Sequence, residues 1–486
     1  MSGNSSDNSR TRRDFLQAGS SAVGATLASS LSAARGAPSG GSRPNILFLL
    51  GEGQRADALS LAGNSILQTP NHDRIGREGV QFRNSFVMNS LCAPSRAATL
   101  TGLYSHVTGQ LGNGDSQHAI PASIPLFTDL LHAAGYDVAL CGKAHLGNGA
   151  RDRYWDYYFG FNAAATNYYH PRVQEGRNGN IGPPVIYSGY VDDLVTDRAL
   201  GWLKQKREKP FCLLLWFQAP HAPFYRARRH LDLYNGVSIP KPPTFDDDYK
   251  GYPGKPRCFA NANNKIGTTI LGNDDPRAVE ELVKDYNAGL VAVDENIGRL
   301  FEWLTASGQL DDTVILQSSD HGFFLGEWRM YDKRFMHEPS IRVPMMIRYP
   351  QLFPAGRTSD AMVLNLDIAP TLLELAGVEA PRNLQGRSLV KPAKGDETGW
   401  RKDWLYEYYD YPGNQEVPPN RGVRTDRYKL IHYFHPPEEF ELYDLENDPG
   451  ERRNLYGDPK YAGLTRQLRG RIEELRRETG DQPASG

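Results

Sequence analysis

The sequence has little cysteine and almost no net charge. Its 486 residues contain four cysteines and carry a formal net charge of −2. The spacings of Cys92, Cys141, Cys212 and Cys258 match neither a zinc site nor a disulfide framework. The small net charge gives no indication of a nucleic-acid partner or of an anionic membrane surface. Both shortages argue against a disulfide-stabilised scaffold and against a nucleic-acid-binding protein. We expect Cys141 and Cys212, which lie in apolar runs, to be buried.

Long hydrophobic runs are also lacking. No segment has the length and apolarity of a transmembrane helix, so we expect no membrane anchor in the mature protein. The N-terminus carries the pair Arg12-Arg13, then a weakly apolar stretch and the small residues Ser32-Ala33-Ala34. This order predicts a twin-arginine signal peptide over residues 1–34, recognised by the twin-arginine export machinery. We therefore expect an exported protein, periplasmic or extracellular.

What the chain has is an alternation of short apolar runs and helical patterns. The runs at 45–50, 137–140, 211–217, 313–316 and 343–347 predict buried strands. A helical pattern opens at Pro276 and repeats every three or four residues up to Leu304. Alternating strands and helices predict an α/β fold with a mostly parallel central sheet flanked by helices.

The predicted secondary structure changes near Asp403. Residues 404–409, 422–424, 428–433 and 441–444 predict short antiparallel strands, and a final amphipathic helix carries Leu464, Leu468, Ile472 and Leu475. We therefore predict one domain over 43–395 and a smaller C-terminal sheet subdomain over 403–486. The stretch from 225 to 273, rich in Pro, Gly and Asn, predicts a long surface excursion.

Polar side chains follow four of the predicted strands. In parallel sheets functional groups gather at the carboxyl ends of the strands. These strand-end residues are Glu52, Lys143, His145, His221, Asp320 and His321.

Cys92 lies at the start of a predicted helix that runs to Gly102. Pro94 suits the first turn and Gly102 the C-terminal end. Free N–H groups and the helix dipole at Cys92 favour negative charge, and Arg96 lies one turn further on. The residues alone predict a thiolate nucleophile of lowered pKa, but the spacing to Arg96 fits a phosphatase-type cysteine loop poorly.

The segment Cys92-Ala93-Pro94-Ser95-Arg96, followed by Leu100-Thr101-Gly102, resembles the signature of the type I sulfatases. In that family, part of the alkaline-phosphatase-like superfamily, the cysteine is oxidised to formylglycine. One hydroxyl of the hydrated aldehyde attacks sulfur, and the other expels the sulfate. The resemblance implies formylglycine at Cys92 and a formylglycine-generating maturation enzyme as partner.

Further motifs extend the resemblance over nearly all of the mature chain. They are Gly142-Lys143-Ala144-His145-Leu146-Gly147, Pro220-His221-Ala222-Pro223, Ser319-Asp320-His321-Gly322 and Asp332-Lys333-Arg334. The roles that the family pattern implies are catalysis by Cys92, Arg96, Lys143, His145, His221 and Lys333, sulfate binding by Lys143, His221 and Lys333, and binding of one Ca²⁺ by Glu52, Cys92, Asp320 and His321. His145 would accept the proton of the second hydroxyl, and His221 with Lys333 would protonate the leaving oxygen.

The metal loop departs from the family. Arg55 and Asp57 keep the family frame, but the two positions at which relatives have two Asp residues, or Asp and a neutral residue, hold Glu52 and Gly53. Calcium prefers several oxygen ligands, and its affinity rises with ligand charge. We therefore expect weaker calcium binding than in relatives with two carboxylates.

Three late segments most resemble sulfatases of glycosaminoglycans or other sulfated polysaccharides, and among them the N-acetylglucosamine-6-sulfatases. They are Phe323-Phe324-Leu325-Gly326-Glu327, Asp332-Lys333-Arg334 and Tyr406-Glu407-Tyr408. This resemblance implies a sulfated carbohydrate substrate, although Trp328 replaces a histidine that many such relatives have. Two alternatives stay open: a catalytically impaired relative that binds sulfated glycans, and a promiscuous phosphate or phosphonate ester hydrolase. The remaining histidines, His72, His106, His118, His337 and His435, receive no role, although His337 is close enough in sequence to Lys333 to line a pocket.

Overall fold

The computed structural model describes residues 43–114, 119–146, 152–247, 255–256, 276–413 and 416–481. The predicted signal peptide, His118 and part of the predicted excursion lie outside the described residues. Within these ranges, no helix combines the length and the apolarity needed to cross a membrane.

A large mixed sheet of 11 strands forms the body of the protein. The strands are β1 (Asn45–Gly51), β2 (Val80–Phe86), β3 (Asp137–Lys143), β4 (Tyr157–Phe161), β5 (Arg172–Arg177), β6 (Asn180–Ile181), β7 (Val185–Ile186), β8 (Phe211–Trp216), β9 (Thr313–Ser319), β12 (Met345–Arg348) and β13 (Arg357–Leu364). Their spatial order is β13-β2-β12-β9-β1-β8-β3-β4-β5-β6, and β7 pairs with β5. A separate two-stranded ribbon joins β10 (Phe324–Leu325) to β11 (Tyr331–Asp332).

The five strands β9, β1, β8, β3 and β4 run parallel at the centre. Leu50 of β1 pairs with Trp216 of β8, which in turn pairs with Gly142 of β3. Almost every residue of these strands is buried, because helices cover both faces of the sheet. Burial on both faces explains why the strands appear in the sequence as continuous apolar runs.

The helices that cover this sheet and link its strands are α1 (Pro70–Arg77), α2 (Cys92–Thr101), α3 (Ser105–Thr108), α4 (Phe127–Ala133), α5 (Val191–Leu203), α6 (Pro276–Ala306), α7 (Glu338–Ile341), α8 (Ile368–Leu375) and α9 (Val390–Lys394). The α6 helix buries Val293, Ile297 and Leu300 against one face of the sheet, and Leu290 packs in a neighbouring cluster with Phe323. The apolar residues that recur every three to four positions in the sequence therefore form the buried face of this helix.

A four-stranded antiparallel sheet follows the large one. It consists of β14 (Asp403–Tyr408), β15 (Asn420–Thr425), β16 (Tyr428–Tyr433) and β17 (Glu439–Asp444), and α10 (Ala462–Thr479) packs on it. Leu468, Ile472 and Leu475 form the buried face of α10. The predicted small sheet and terminal helix are confirmed, whereas the boundaries 43–395 and 403–486 stay predictions.

The strand predictions hold for the central sheet and are incomplete at its edge. The predicted strand over 343–347 corresponds to β12, which runs antiparallel to β9 rather than parallel. Strand β2 lacks an apolar run, because polar residues such as Gln81 and Arg83 alternate with buried ones along it. Strand β13, at the end of the sheet, begins with polar residues and is continuously buried only from Ala361 onward. Mixed strands of this kind give a weaker sequence signal than the buried centre.

Candidate active site

Four neighbouring parallel strands bring the predicted residues to one edge of the sheet. Glu52 follows β1, Asp320 and His321 follow β9, and Lys143 is the last residue of β3. His221 lies in the loop after β8. Because the spatial order is β9-β1-β8-β3, all these side chains project from adjacent strand ends.

Cys92 is the first residue of α2, and its side chain faces this edge. The backbone before it is extended, with φ −140° at Leu91, so the helix begins abruptly at Cys92. The backbone N–H of Ala93 donates to Asn113 Oδ1 at 3.1 Å. At the other end Gly102 takes φ +68°, a left-handed conformation that favours glycine and ends the helix.

Arg96 is fully buried and fixes the two carboxylates of the site. Its Nε donates to Asp320 Oδ2 at 3.0 Å, and its Nη2 donates to Glu52 Oε2 at 2.8 Å. Its Nη1 donates to the carbonyl of Lys143 at 2.6 Å. One guanidinium therefore holds the ends of β1, β9 and β3 in register, and the fork geometry of arginine allows all three bonds at once.

Glu52 is the centre of the site. Its Oε2 accepts from Lys143 Nζ at 2.6 Å as well as from Arg96. Its Oε1 lies 3.3 Å from Cys92 Sγ, 3.3 Å from His321 Nε2 and 3.6 Å from Lys333 Nζ. A buried carboxylate is stable only when it is paired, and here each oxygen has its own set of partners.

The surrounding charges determine the protonation of this cluster. Burial and Glu52 both act to raise the pKa of the Cys92 thiol, but Lys143, Lys333 and His321 together bring it well below its usual range. Burial acts to raise the pKa of Glu52, which Lys143 and the neighbouring histidines nevertheless hold well below its usual range. Burial and the charge of Glu52 raise the pKa of Asp320 to about 6. The site therefore favours an anion at position 92.

Lys333 reaches the cluster from the loop after the β10–β11 ribbon. Its ammonium lies 3.4 Å from Asp332 Oδ1, and Asp332 also pairs with Arg334. Asp332 and Arg334 have φ of +87° and +91°, in the left-handed region that non-glycine residues rarely adopt. This backbone places Lys333 inward between two strained neighbours, which is typical of a functional loop.

The two remaining histidines flank the cluster. His145 has φ +49° and is buried, and neither of its ring nitrogens has a hydrogen-bond partner among the described residues. Burial lowers the pKa of His145 and, together with Lys143, the pKa of His221. His221 Nε2 lies 3.8 Å from Glu52 Oε1. Both rings therefore favour the neutral form, which His145 needs as a proton acceptor. The negative charge of a sulfate bound beside His221 would favour the protonated form of that ring.

The donor atoms of Glu52, Cys92, Asp320 and His321 lie within 4.8 Å of one another. Two carboxylates and an imidazole around one point suit a divalent cation, and an oxygen at position 92 in place of sulfur would suit a hard cation better. Gly53, at φ +64°, offers no side-chain ligand. The residues present therefore fit one divalent cation, to which the protein would supply only two carboxylate ligands, Glu52 and Asp320.

Sequence reasoning missed the residues that support this cluster. The Tyr406 hydroxyl lies 2.7 Å from Ser90 Oγ and donates to the carbonyl of Arg334 at 3.0 Å. Asn365 Nδ2 donates to the carbonyl of Ser95 at 3.1 Å. Both are ordinary buried polar residues in the sequence, and only their position against α2 and the Lys333 loop identifies them.

His337, which sequence proximity to Lys333 places near a pocket, instead packs into the core beside the small sheet. It is fully buried, its Nε2 lies 3.6 Å from Glu441 Oε1, and its ring lies 5.5 Å from that of Trp328.

Cys141 and Cys212 are buried in strands, as the sequence predicts.

Comparison with known proteins agrees with this geometry. The family model "Sulfatase" matches residues 44–378, and the model "N-sulphoglucosamine sulphohydrolase, C-terminal" matches residues 326–478. The chain is 35% identical to an N-acetylglucosamine-6-O-sulfatase of Bacteroides thetaiotaomicron, over 90% of this chain and 87% of that protein. It is 30% identical to a multifunctional alkaline phosphatase superfamily protein of Trinickia caryophylli, over 87% of this chain and 93% of that protein.

A solved structure is similar over the same extent. It holds a protein in complex with its substrate D-glucosamine-2-N,6-O-disulfate, and it superposes with a TM-score of 0.82 at 33% identity. The match covers 91% of this chain and 99% of the other.

Proposed function

Because the chain belongs to the sulfatase family, we propose that it removes 6-O-sulfate from glucosamine-type sugars of a sulfated glycan. The protein is a sulfuric ester hydrolase. The observation that carries the proposed hydrolysis is the position of Cys92, at a helix start within contact of Glu52 and His321 and near Arg96, Lys143 and Lys333.

Cys92 is proposed as the site of formylglycine. Formylglycine supplies, as its hydrate, one hydroxyl to attack sulfur and a second whose deprotonation allows sulfate to leave. The first turn of α2 and the three nearby cations favour negative charge at this position. The chain's own contribution is thus an environment that stabilises an oxyanion.

Lys143, Lys333 and His221 are proposed to hold the sulfate. The two ammonium groups lie on opposite oxygens of Glu52, 2.6 Å from Oε2 and 3.6 Å from Oε1, so they approach the site from two sides. A sulfate between them would have its charge offset as the sulfur–oxygen bond breaks. We propose that His221, with Lys333, gives a proton to the leaving sugar oxygen.

His145 is proposed as the base for the second hydroxyl. Among the described residues neither ring nitrogen of this buried imidazole has a conventional hydrogen-bond partner, and burial lowers its pKa while the side chain at position 92 acts to raise it. A hydroxyl at position 92 would supply the partner that the buried ring needs. Its lowered pKa keeps it ready to accept a proton near neutral pH.

Glu52, Asp320, His321 and position 92 are proposed to bind one Ca²⁺, whose charge would help to polarise the sulfate ester. Arg96 keeps Glu52 and Asp320 oriented toward the same point. The Lys143 and Lys333 ammonium groups compete for Glu52, which supports weaker calcium binding than two free carboxylates would give.

The sugar specificity is proposed from the relatives. One is named an N-acetylglucosamine-6-O-sulfatase, and another is solved with a glucosamine disulfate as its substrate. Two alternatives are not favoured. A non-catalytic glycan binder has no use for the intact Cys92–Gly102 motif. A promiscuous phosphate or phosphonate ester hydrolase is not favoured because the relatives at 33–35% identity are named for sulfated sugars. The motif Arg12-Arg13 supports export after folding and modification in the cytoplasm.

The test is mass spectrometry of Cys92 in protein made together with a maturation enzyme, followed by sulfate release from N-acetylglucosamine 6-sulfate. We expect conversion to formylglycine and turnover. Cys92→Ala should abolish sulfate release and keep the parent's melting temperature, and Cys212→Ala is the control because Cys212 is buried away from the site in β8. Full activity of Cys92→Ala would reject the proposal.

A further inference from the structure

A cleft remote from Cys92 collects positive charge. It lies where Tyr104, just beyond the end of α2, meets β14 and the last turn of α10. The ten residues of α2 separate it from Cys92 by roughly 15 Å, at 1.5 Å per residue. Its volume of 790 Å³ is in the range of ligand sites. One sulfate group cannot reach both places.

The cations of the cleft outnumber its acids. The cations that line it are Arg382, Arg387, Arg401, Lys402, Arg471 and Arg477, and the acids are Asp403 and Glu478. Arg471 already pairs with both acids, at 2.7 Å each. Arg401 pairs with the buried Asp367.

Four cations are therefore left over. Arg382, Arg387, Lys402 and Arg477 are all exposed, and none has an ion pair with a carboxylate of the described residues. The whole chain has a net charge of −2, so this cluster is a local feature rather than a property of the surface in general.

One ring on the wall of the cleft is accessible to a ligand. Trp400 is half-buried, and its indole N–H donates to the carbonyl of Met362 at 2.7 Å. Trp404 also lines the cleft, but it is only 2% exposed and packs in the core against Phe86. The exposed part of the Trp400 ring is therefore the apolar surface that the cleft offers to a sugar ring.

We propose that this cleft is a second, non-catalytic binding site for a sulfated glycan chain. Several separate cations match a polymer that carries several sulfate groups better than they match one small anion, because each sulfate can meet its own cation. The identity of the ligand rests on the proposed function, whereas the existence of an anionic-polymer site rests on the cleft alone. The site holds the polysaccharide at the enzyme between hydrolytic events.

A second basic region provides a matched control. Lys204, Lys206, Arg207 and Lys209 line a cleft at the opposite edge of the sheet, where β1 and β8 begin. There the Arg207 guanidinium stacks over the Trp202 ring at 4.0 Å, and Lys209 faces Asp137. Lys204 and Lys206 are exposed, as are Arg382 and Lys402. Replacing either pair with glutamate changes the net charge equally.

The experiment measures binding of a heparin octasaccharide to the full chain carrying Cys92→Ala, which prevents hydrolysis. We expect Arg382→Glu with Lys402→Glu to weaken binding about tenfold and to reduce its salt dependence, whereas Lys204→Glu with Lys206→Glu leaves both nearly unchanged. Arg382→Gln with Lys402→Gln should give a smaller loss in the same direction. This milder pair covers the case in which the glutamate variant folds poorly.

Turnover separates the two proposals. With Cys92 restored, hydrolysis of N-acetylglucosamine 6-sulfate should be unchanged in the Arg382 and Lys402 variants, because the monosaccharide does not reach the cleft. Equal loss of octasaccharide binding in the Arg382/Lys402 and the Lys204/Lys206 glutamate variants would contradict the proposed binding site. So would unchanged binding in both the glutamate and the glutamine variants of Arg382 and Lys402. Cleft-dependent binding by a parent that does not hydrolyse the monosaccharide would reject the proposed substrate and keep the cleft.

Discussion

At the scale of single residues, the Glu52 carboxylate connects the whole site. Oε2 binds Arg96 and Lys143, while Oε1 faces Cys92 and Lys333. The same side chain thus balances buried cations and offers a ligand atom. Removing the one carboxylate on which these cations converge would leave several buried charges uncompensated, so replacing Glu52 affects stability as well as binding.

Calcium binding should depend on both positions of the altered loop. Glu52→Gln should raise the dissociation constant for calcium, because it removes a charged ligand. Gly53→Asp adds a carboxylate, but Gly53 has φ +64°, and a Cβ there would lie 3.1 Å from Phe323 Cδ2. We therefore expect tighter calcium binding together with a stability loss of about 1 kcal/mol from the left-handed backbone.

Isothermal titration with calcium, beside activity with and without a chelator, checks this prediction. Gly53→Asn is the matched control, because it introduces the same strain without the charge and should not tighten binding. A chelator should remove the parent's activity, and added calcium should restore it. Calcium affinity that is the same in the parent, Glu52→Gln and Gly53→Asp would place the ion elsewhere.

Lys333 should contribute to catalysis far more than to folding. It lies on a loop, and its ammonium faces Glu52 and Asp332. Lys333→Ala should lower kcat/KM by an amount equivalent to about 2 kcal/mol or more, the scale of losing one oxyanion donor. Lys394→Ala, at the exposed end of α9, is the control. Steady-state kinetics and melting curves decide the case, and an early-melting but fully active Lys333→Ala would make the residue structural.

At the scale of elements, the carboxyl ends of β9, β1, β8 and β3 could be predicted from the sequence. Each strand is a continuous apolar run followed by polar residues, so both the strand and its functional end are visible. The ribbon β10–β11 could not be predicted, because its strands have two residues each and its turn depends on positive φ at Trp328 and Arg329. Such a turn has no periodic pattern to detect.

The small sheet holds the two loops of the site together through Tyr406 of β14. Its hydroxyl bridges Ser90, two residues before Cys92, and the carbonyl of Arg334, next to Lys333. Tyr406→Phe keeps the ring and removes the bridge. We expect a fall in kcat of about tenfold, because loss of one hydrogen bond lets the loops shift by a fraction of an ångström, with little change in KM.

Tyr433→Phe is the control for this variant. It removes a hydroxyl of the same sheet that is bonded to Glu441 at 2.8 Å instead of to the site. Steady-state kinetics with both variants, beside their melting temperatures, separates positioning from stability. Equal kinetic losses in the two variants would mean that Tyr406 acts only through the stability of the small sheet.

At the scale of the whole molecule, the two sheets share one core. Phe86 and Leu364 of the large sheet pack in the same cluster as Trp404 and Tyr406 of the small sheet. The rings of Phe86 and Trp404 lie 5.4 Å apart. The sequence indicates both sheets, but it cannot show how they pack, because a pattern of buried positions does not name the partner face. The active site and the cleft both lie along this junction, so the shape of each depends on how the two sheets pack together.

One buried carboxyl group should make a contribution to the stability of the whole molecule that falls with rising pH. Asp192, on the first turn of α5, accepts from the backbone N–H groups of Gln218 and Ala219 at 2.7 and 3.1 Å, and so holds the loop that carries His221. Burial raises the pKa of Asp192 from 3.8 to about 7. Between these values the folded protein holds a proton that the unfolded chain has lost, so each rise in pH favours unfolding.

Asp192→Asn should remove this dependence. From about pH 5 to about pH 7 the parent should lose about 2 kcal/mol relative to Asp192→Asn, since the slope is 1.36 kcal/mol per pH unit and falls off as the folded group ionises near pH 7. Above about pH 8 the difference should stay constant. Melting temperatures of both proteins across this range measure the effect. Asp193→Asn, one residue along the same helix and paired with Arg229 at the surface, should keep the parent's slope. A parent as stable at pH 7 as at pH 5, relative to Asp192→Asn, would mean that Asp192 is already ionised in the fold, with its charge stabilised by the two backbone N–H groups.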